Sequence, residues 1–132
     1  EDALALAREN AAALKADVNF VKSDLFENID GKFSMIITNP PYIKSEDIER
    51  LQMEVKDFEP KIALDGGEDG LDFYRKIATQ SKPRLFDGGV VLAEIGAEQG
   101  EAVKNLFEEN GFTAKVFKDI SGNDRVVAAV KI

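Results

Sequence analysis

The chain has no cysteine, no histidine and no tryptophan. Without cysteine it forms no disulfide and offers no thiolate to a metal. Without histidine it lacks the side chain that titrates nearest neutral pH and the commonest zinc ligand. Proton chemistry therefore falls to carboxylates, tyrosine, lysine or water. Proline is scarce, four in 132 residues, yet two of the four are adjacent, Pro40 and Pro41. No stretch approaches the ~18 consecutive apolar residues of a membrane span. Basic residues are in deficit: 17 Lys and Arg face 25 Asp and Glu, a net charge of −8. Nucleic-acid binders draw affinity from neutralising phosphates, so this balance disfavours DNA or RNA as a substrate.

What is present is a globular composition, 44% hydrophobic with nine Phe, enough for one domain or part of one. Asp2 caps a helix expected to reach about Lys15, with Leu4, Ala7, Ala11 and Leu14 at helical spacing. Val18-Asn19-Phe20-Val21 alternates as a short strand, and Asp30-Gly31 is a turn. Phe33 to Thr38 is the next strand, stopped by the proline pair, which has no amide hydrogen for a ladder. A short helix is expected from Ser45 to about Leu51, then an extended Asp57-Phe58-Glu59-Pro60 and a loop, Asp65 to Gly70. A helix follows with Leu71, Tyr74, Ile77, Ala78 and Leu85 facing inward and Pro83 interrupting its end. Asp87-Gly88-Gly89 reads as a turn into the strand Val90–Ile95, and a helix spans about Glu98 to Asn110. Gly111 suits the left-handed position after that helix. Strands Phe112–Lys118 and Arg125–Lys131 close the chain across the turn Ser121-Gly122-Asn123-Asp124. The alternation predicts an α/β fold with a mostly parallel sheet and one antiparallel strand near the C-terminus, since the final turn is too short for a crossover.

Asn39-Pro40-Pro41-Tyr42 follows the apolar run Met35-Ile36-Ile37-Thr38. A rigid turn there holds Asn39 at a strand's carboxyl end, where open α/β sheets bind ligands. The chemistry it suits is methyl transfer to a planar, weakly nucleophilic nitrogen. Two acceptors, the Asn39 side-chain oxygen and the Pro40 carbonyl, would take the two N–H bonds of such a nitrogen and stabilise the charge that develops on it. Tyr42 offers a face for a planar group. The plain alternative is an Asn-Pro turn with a surface aromatic. The loop Gly66-Gly67-Glu68-Asp69-Gly70 lacks the spacing and the Lys-Ser/Thr of a phosphate cradle, and reads as a cap for the following helix. Glu94, at a strand end, reads as a cap or solvent-facing group rather than a catalyst. Arg125 and Lys131 read as strand-edge charges.

Asn39-Pro40-Pro41-Tyr42-Ile43, Phe58-Glu59-Pro60, Ala63 through Arg75, Glu94-Ile95-Gly96 and Gln99-Gly100 together resemble the peptide-chain release factor glutamine N5-methyltransferases. That resemblance implies a Rossmann-like class I S-adenosylmethionine-dependent methyltransferase fold and a cytoplasmic enzyme. It implies methyl transfer from S-adenosylmethionine to the glutamine amide of a release factor's Gly-Gly-Gln motif. It implies Asn39 and Pro40 as catalytic acceptors, and Asn39, Pro40, Pro41 and Tyr42 as the glutamine pocket. Asp24, Leu25 and Asn39 are implied as cofactor-binding residues, with Asp24 accepting from the adenine amino group and Leu25 covering the ring; a strand-end turn is the alternative for Asp24. No metal is implied. The alternatives are a nucleic-acid amino methyltransferase and a non-catalytic fold fragment.

The family's glycine-rich cofactor loop, its first two strands and its helical N-terminal domain have no counterpart here, so residues 1–132 are expected to be a partial, truncated catalytic domain, inactive by itself. In the family's sheet the two strands without a counterpart would lie between the Phe20 strand and the Met35–Ile37 strand. With strands about 4.8 Å apart, that leaves a gap roughly three spacings wide. Self-association through the Phe33–Thr38 edge, or a displaced first helix and strand, is the expected consequence.

Overall fold

The computed structural model describes residues 2–55 and 60–132. The expected extended segment Asp57-Phe58-Glu59 lies outside the described residues. The chain forms two compact units, residues 1–31 and 32–132.

The first unit holds α1, Asp2–Ala13. Leu4, Ala7 and Ala11 are its less exposed positions, as their spacing predicts, whereas Leu14 lies past the helix end and is exposed. The helix stops short of the expected Lys15 because Lys15 turns to a left-handed φ of 53°. Arg8 sits over the Phe20 ring at 5.9 Å and ties the returning segment to the helix. The expected strand Val18–Val21 does not form. A strand is stabilised by its ladder, and this unit supplies no second strand; Val18 and Val21 remain exposed.

The second unit is a four-stranded sheet with helices α2 (Ser45–Val55), α3 (Asp72–Ser81) and α4 (Gly100–Glu109). Its strands are β1 (Phe33–Thr38), β2 (Leu85–Glu94), β3 (Phe112–Lys118) and β4 (Asp124–Lys131), in the order β1-β2-β4-β3. β1 and β2 are parallel, and β4 runs antiparallel to both β2 and β3. One reversed strand in an otherwise parallel set is the arrangement the short Ser121–Asp124 turn dictates.

Strand alternation separates the two sheet faces. Val91, Ala93, Val127, Ala129 and Ala114 point to one side and are buried with Tyr74, Ile77 and Ala78 of α3 and Val103 and Phe107 of α4. Phe107 meets Phe112 edge-on, centroids 5.3 Å apart, the arrangement ring quadrupoles favour. On the other side Phe33, Met35 and Ile37 are exposed at the β1 edge of the sheet.

Three boundaries depart from expectation. α2 continues past Leu51 to Val55. α3 ends at Ser81, and Pro83 lies in a short 3₁₀ turn, Lys82–Arg84, so Leu85 is buried as the first residue of β2 rather than as part of a helix. Asp87-Gly88-Gly89 is a bulge inside β2, not a turn before it: Phe33 pairs with Leu85 but Met35 with Val90. Gly88, at φ +76°, lets the extra residues loop out without breaking the strand.

Candidate active site

β1 ends at Thr38, whose register partner is Ala93 near the end of β2. Pro40 and Pro41 cannot donate to a ladder, so the pairing stops there. The chain re-engages at Ile43, which donates to the Leu64 carbonyl at 3.0 Å and accepts from the Gly66 amide at 2.8 Å. Asn39 to Tyr42 is thus a short span fixed at both ends. Asn39 is exposed and Pro40 buried. Among the described residues neither the Asn39 side chain nor the Pro40 carbonyl has a hydrogen-bond partner. Among the described residues, two acceptors thus stand without a partner at the strand's carboxyl end.

Tyr42 is half-buried and closely surrounded. A Cβ on Gly66 would lie 2.7 Å from its Cα, one on Gly70 2.5 Å from its carbonyl oxygen, and one on Gly96 3.3 Å from its ring. One side of the ring is therefore taken by Gly96. Tyr42 also lines an open cleft of roughly 480 Å³ with Lys44, Asp47, Leu71, Glu98 and Gln99.

Gln99, just before α4, joins these segments. Its Oε1 accepts from the Gly96 amide at 2.9 Å, and its Nε2 donates to the carbonyls of Tyr42 at 3.0 Å and Gly70 at 3.2 Å. Below, the buried Tyr74 hydroxyl donates to the Glu94 carbonyl at 2.6 Å. Burial pushes the Tyr74 phenol well above its ordinary range, helped by Tyr42 and Glu94 nearby, so it stays a donor.

The glycine loop is organised by its own carboxylates. Asp65 accepts from the Ser45 hydroxyl at 2.7 Å and the Gly67 amide at 3.0 Å, which hold its carboxyl below the usual range. Asp69 accepts from the Leu71 amide at 3.0 Å and pairs with Arg75. The Arg75 guanidinium first, then that amide, brings its carboxyl down to about 2. Asp65 thus ties the loop to Ser45 at the start of α2, and Asp69 ties it to Leu71 and Arg75. α3 has no side-chain cap hydrogen bond, and the loop meets its first turn through the main chain, the Asp72 amide donating to the Gly66 carbonyl at 3.0 Å.

Asp24 and Leu25 lie in the first unit. Asp24 is exposed and its carbonyl accepts from the Glu27 amide at 3.2 Å. Leu25 takes a left-handed φ of 52°, an uncommon conformation for a branched side chain and one that gathers at ligand-binding turns. Asn28 holds the turn through Ser23 and Lys22. The exposed Asp24 carboxylate, with the half-buried Leu25 beside it, suits an amino group on a flat apolar ring.

Sequence reasoning missed two anchors. Gln99 and Tyr74 both lie in stretches that carry the family resemblance, yet the sequence assigns Gln99 no role and Tyr74 none beyond an inward-facing helix position. It also undervalued two cations. Arg125 donates to the Ile95 carbonyl and pairs with Asp119. Lys131, with a largely buried side chain, donates to the Leu85 carbonyl at 2.9 Å. Both tie one strand end to its neighbour.

The family model for a methyltransferase small domain matches residues 1–56. A release factor glutamine methyltransferase of Clostridium acetobutylicum is 42% identical over 136 residues, covering 98% of this chain and 48% of that relative. One from Geobacter sulfurreducens is 45% identical over 127 residues, covering 95% and 45%. By sequence, the chain belongs to the release factor glutamine methyltransferase family. It spans about half the length of the curated relatives it matches. A crystal structure of a release factor-specific protein-(glutamine-N5) methyltransferase from Alicyclobacillus acidocaldarius is 31% identical, with a TM-score of 0.50 over 76% of this chain and 49% of that one. A methyltransferase from Pyrococcus furiosus, 20% identical, shares the fold alone, with a TM-score of 0.69 over 98% of this chain and 58% of that one. The fold is that of the Rossmann-like methyltransferases, and the Asn39–Tyr42 segment stands at the carboxyl end of β1 within it.

Proposed function

We propose that the whole protein transfers a methyl group to the side-chain amide nitrogen of glutamine in a release factor's Gly-Gly-Gln motif, with S-adenosylmethionine as donor, in the cytoplasm. The observation that carries this reading is the pair of unengaged acceptors, the Asn39 amide oxygen and the Pro40 carbonyl, on a loop whose ends are fixed. A primary amide presents two N–H donors, and its nitrogen lone pair is delocalised into the carbonyl. Two acceptors taking both N–H bonds hold the nitrogen with its lone pair directed out of the amide plane. They also stabilise the positive charge as the new N–C bond forms. S-adenosylmethionine, when bound, supplies the electrophilic methyl group. As the N–C bond forms, the donor's S–methyl bond would break and its electron pair stay on the sulfur of S-adenosylhomocysteine; one N–H proton would then pass to water, so a chain without histidine needs no strong base. Pro41 and Tyr42 complete the pocket.

Within the first unit, we assign Asp24 and Leu25 to the adenine of the donor. The exposed carboxylate and the left-handed Leu25 support this assignment. Mass spectrometry of a release factor incubated with the full-length protein tests the function. The expected result is one methyl group on the Gly-Gly-Gln glutamine, lost by about a hundredfold in Asn39→Ala. Methylation of DNA or rRNA instead of the release factor would overturn it. The 132 residues alone are expected to show no micromolar binding of S-adenosylmethionine by calorimetry; such binding would overturn the reading that the cofactor site is incomplete in them.

A separate proposal concerns this chain in isolation: it self-associates through β1. Strand β1 ends the sheet order, and Phe33, Met35 and Ile37 are 39%, 51% and 73% exposed. An apolar strand with one unpaired edge is a template for a second copy.

A further inference from the structure

Asn39–Tyr42 is held at its flanks by main-chain hydrogen bonds, from β1 on one side and from Ile43 on the other. Among the described residues, Gln99 is the one side chain that hydrogen-bonds the tetrapeptide itself. It reaches across 57 positions of sequence to do so. Its three contacts determine its orientation: the carbonyl end faces an N–H, and the amino end faces two carbonyls. The reverse orientation would set donor against donor and acceptor against acceptor. The backbone that carries this side chain is also fixed, because the Gln99 main-chain carbonyl accepts from the Val103 amide in the first turn of α4 at 2.9 Å.

The surrounding glycines leave space for this side chain. A Cβ on Gly70 would lie 3.0 Å from Nε2, and one on Gly96 3.1 Å from Oε1. Two backbone positions without side chains thus admit one amide that joins the Tyr42 loop, the Gly70 loop and the β2–α4 turn.

We propose that Gln99 is a positioning residue, whose amide fixes the Tyr42 carbonyl and thereby the placement of the Asn39 and Pro40 acceptors. This rests on the glutamine-methylation reading for its kinetic consequence, but the clamp itself can be tested without turnover. A displaced acceptor pair weakens stabilisation of the developing charge more than it weakens docking of a large protein substrate, and displacements of about 1 Å can cost about a hundredfold in rate. The signature is a loss in kcat with KM for the release factor little changed.

Two replacements of similar length separate the possibilities. Q99M removes every polar contact. Q99E keeps an acceptor for Gly96 but sets a carboxylate against two carbonyls; when protonated, the new carboxyl again donates to Tyr42. In the full-length protein Q99M is expected to lower kcat by about ten- to a hundredfold, with KM changed less than about threefold. Q99E is expected to regain kcat, relative to wild type, as pH falls through the raised pKa of its carboxyl. Amide hydrogen exchange of this chain supplies the independent readout: Gly96 N–H exchanges at least about tenfold faster in Q99M. An unchanged Gly96 exchange rate overturns the clamp whether or not the protein methylates glutamine. A lower melting temperature with kcat unchanged, or a Q99E pH profile parallel to wild type, reduces Gln99 to a structural residue and overturns the proposal. A wild-type protein inactive on every release factor, with Gly96 exchange still accelerated in Q99M, refutes the methylation reading and with it the catalytic consequence, while the clamp geometry stands.

Discussion

Gly66→Ala isolates the close approach on which the Tyr42 loop depends. A Cβ at this position would lie 2.7 Å from Tyr42 Cα, 2.8 Å from the Gly70 carbonyl oxygen and 2.9 Å from the Pro41 carbonyl oxygen. Comfortable carbon contacts are about 3.5–4.0 Å, so the nearest is short by roughly 1 Å. All three atoms belong to the main chain, so no side chain can rotate aside. The residue is also held on both sides: its amide donates to Ile43 at 2.8 Å and its carbonyl accepts from Asp72 at 3.0 Å. Overpacking typically costs about 1–3 kcal/mol. With backbone on every side we expect the upper end, about 3 kcal/mol, roughly a hundredfold in the folding equilibrium. Gly66 has no left-handed φ, so the cost is steric. Gly88→Ala supplies the opposite case: φ is +76° with nothing within 4 Å of an added Cβ, and the expected cost is about 1 kcal/mol from conformation alone. Urea denaturation followed by far-ultraviolet circular dichroism measures both, which suits a chain without tryptophan. A Gly66→Ala variant within about 0.5 kcal/mol of wild type, or one less destabilised than Gly88→Ala, would refute the reasoning.

Tyr74→Phe leaves the Glu94 carbonyl without its 2.6 Å donor in a part-buried site; a loss of about 1 kcal/mol is expected in the same denaturation assay. Asp69 has a folded-state pKa lowered to about 2, so its stabilisation is complete above the unfolded value near 4 and is lost as pH falls through the folded one. Asp69→Asn should therefore flatten the acid limb of stability between about pH 4 and 2. Asp69 and Arg75 are 45% and 47% exposed, so solvent screening keeps the effect under about 1 kcal/mol. Ile37→Lys should weaken self-association of the isolated chain by at least about tenfold in sedimentation equilibrium, since burying an isoleucine contributes about 1.5–3 kcal/mol; a wild-type chain that sediments as a monomer would exclude the β1 interface.

Much of the second unit was legible because period, turn chemistry and length agreed. Val90 to Ile95 is too apolar and too short to be anything but a buried strand, and Gly111 adopts φ +85° after α4 as its position demands. The Asp87–Gly89 bulge was not legible. A glycine pair next to an acid carries the same local signal whether it ends a strand or kinks one, and only the β1 register decides. The Val18–Val21 strand failed for a related reason: alternation shows that a segment could pair, not that a partner is present. At the site, Asn39 and the prolines were readable because their constraint is local. Gln99 was not, because a glutamine before a helix gives no local sign of the carbonyl it will meet 57 residues away.

The geometry also explains why residues so widely spaced carry one family resemblance. Gly66, Gly70, Gly96 and Gln99 lie in three separate stretches, yet each touches Tyr42 or would collide with it if enlarged. The loop's carboxylates serve the same arrangement. Asp65 holds Ser45 and Gly67, and Asp69 holds Leu71 and Arg75, which together position Gly66 and Gly70 against the loop that follows Asn39. The small residues around Tyr42 therefore act as a set: enlarging one displaces the same main chain that Gln99 anchors. Substitutions within the set should couple, whereas each should add independently to a change at Lys131, whose side chain braces the opposite end of β2 at Leu85.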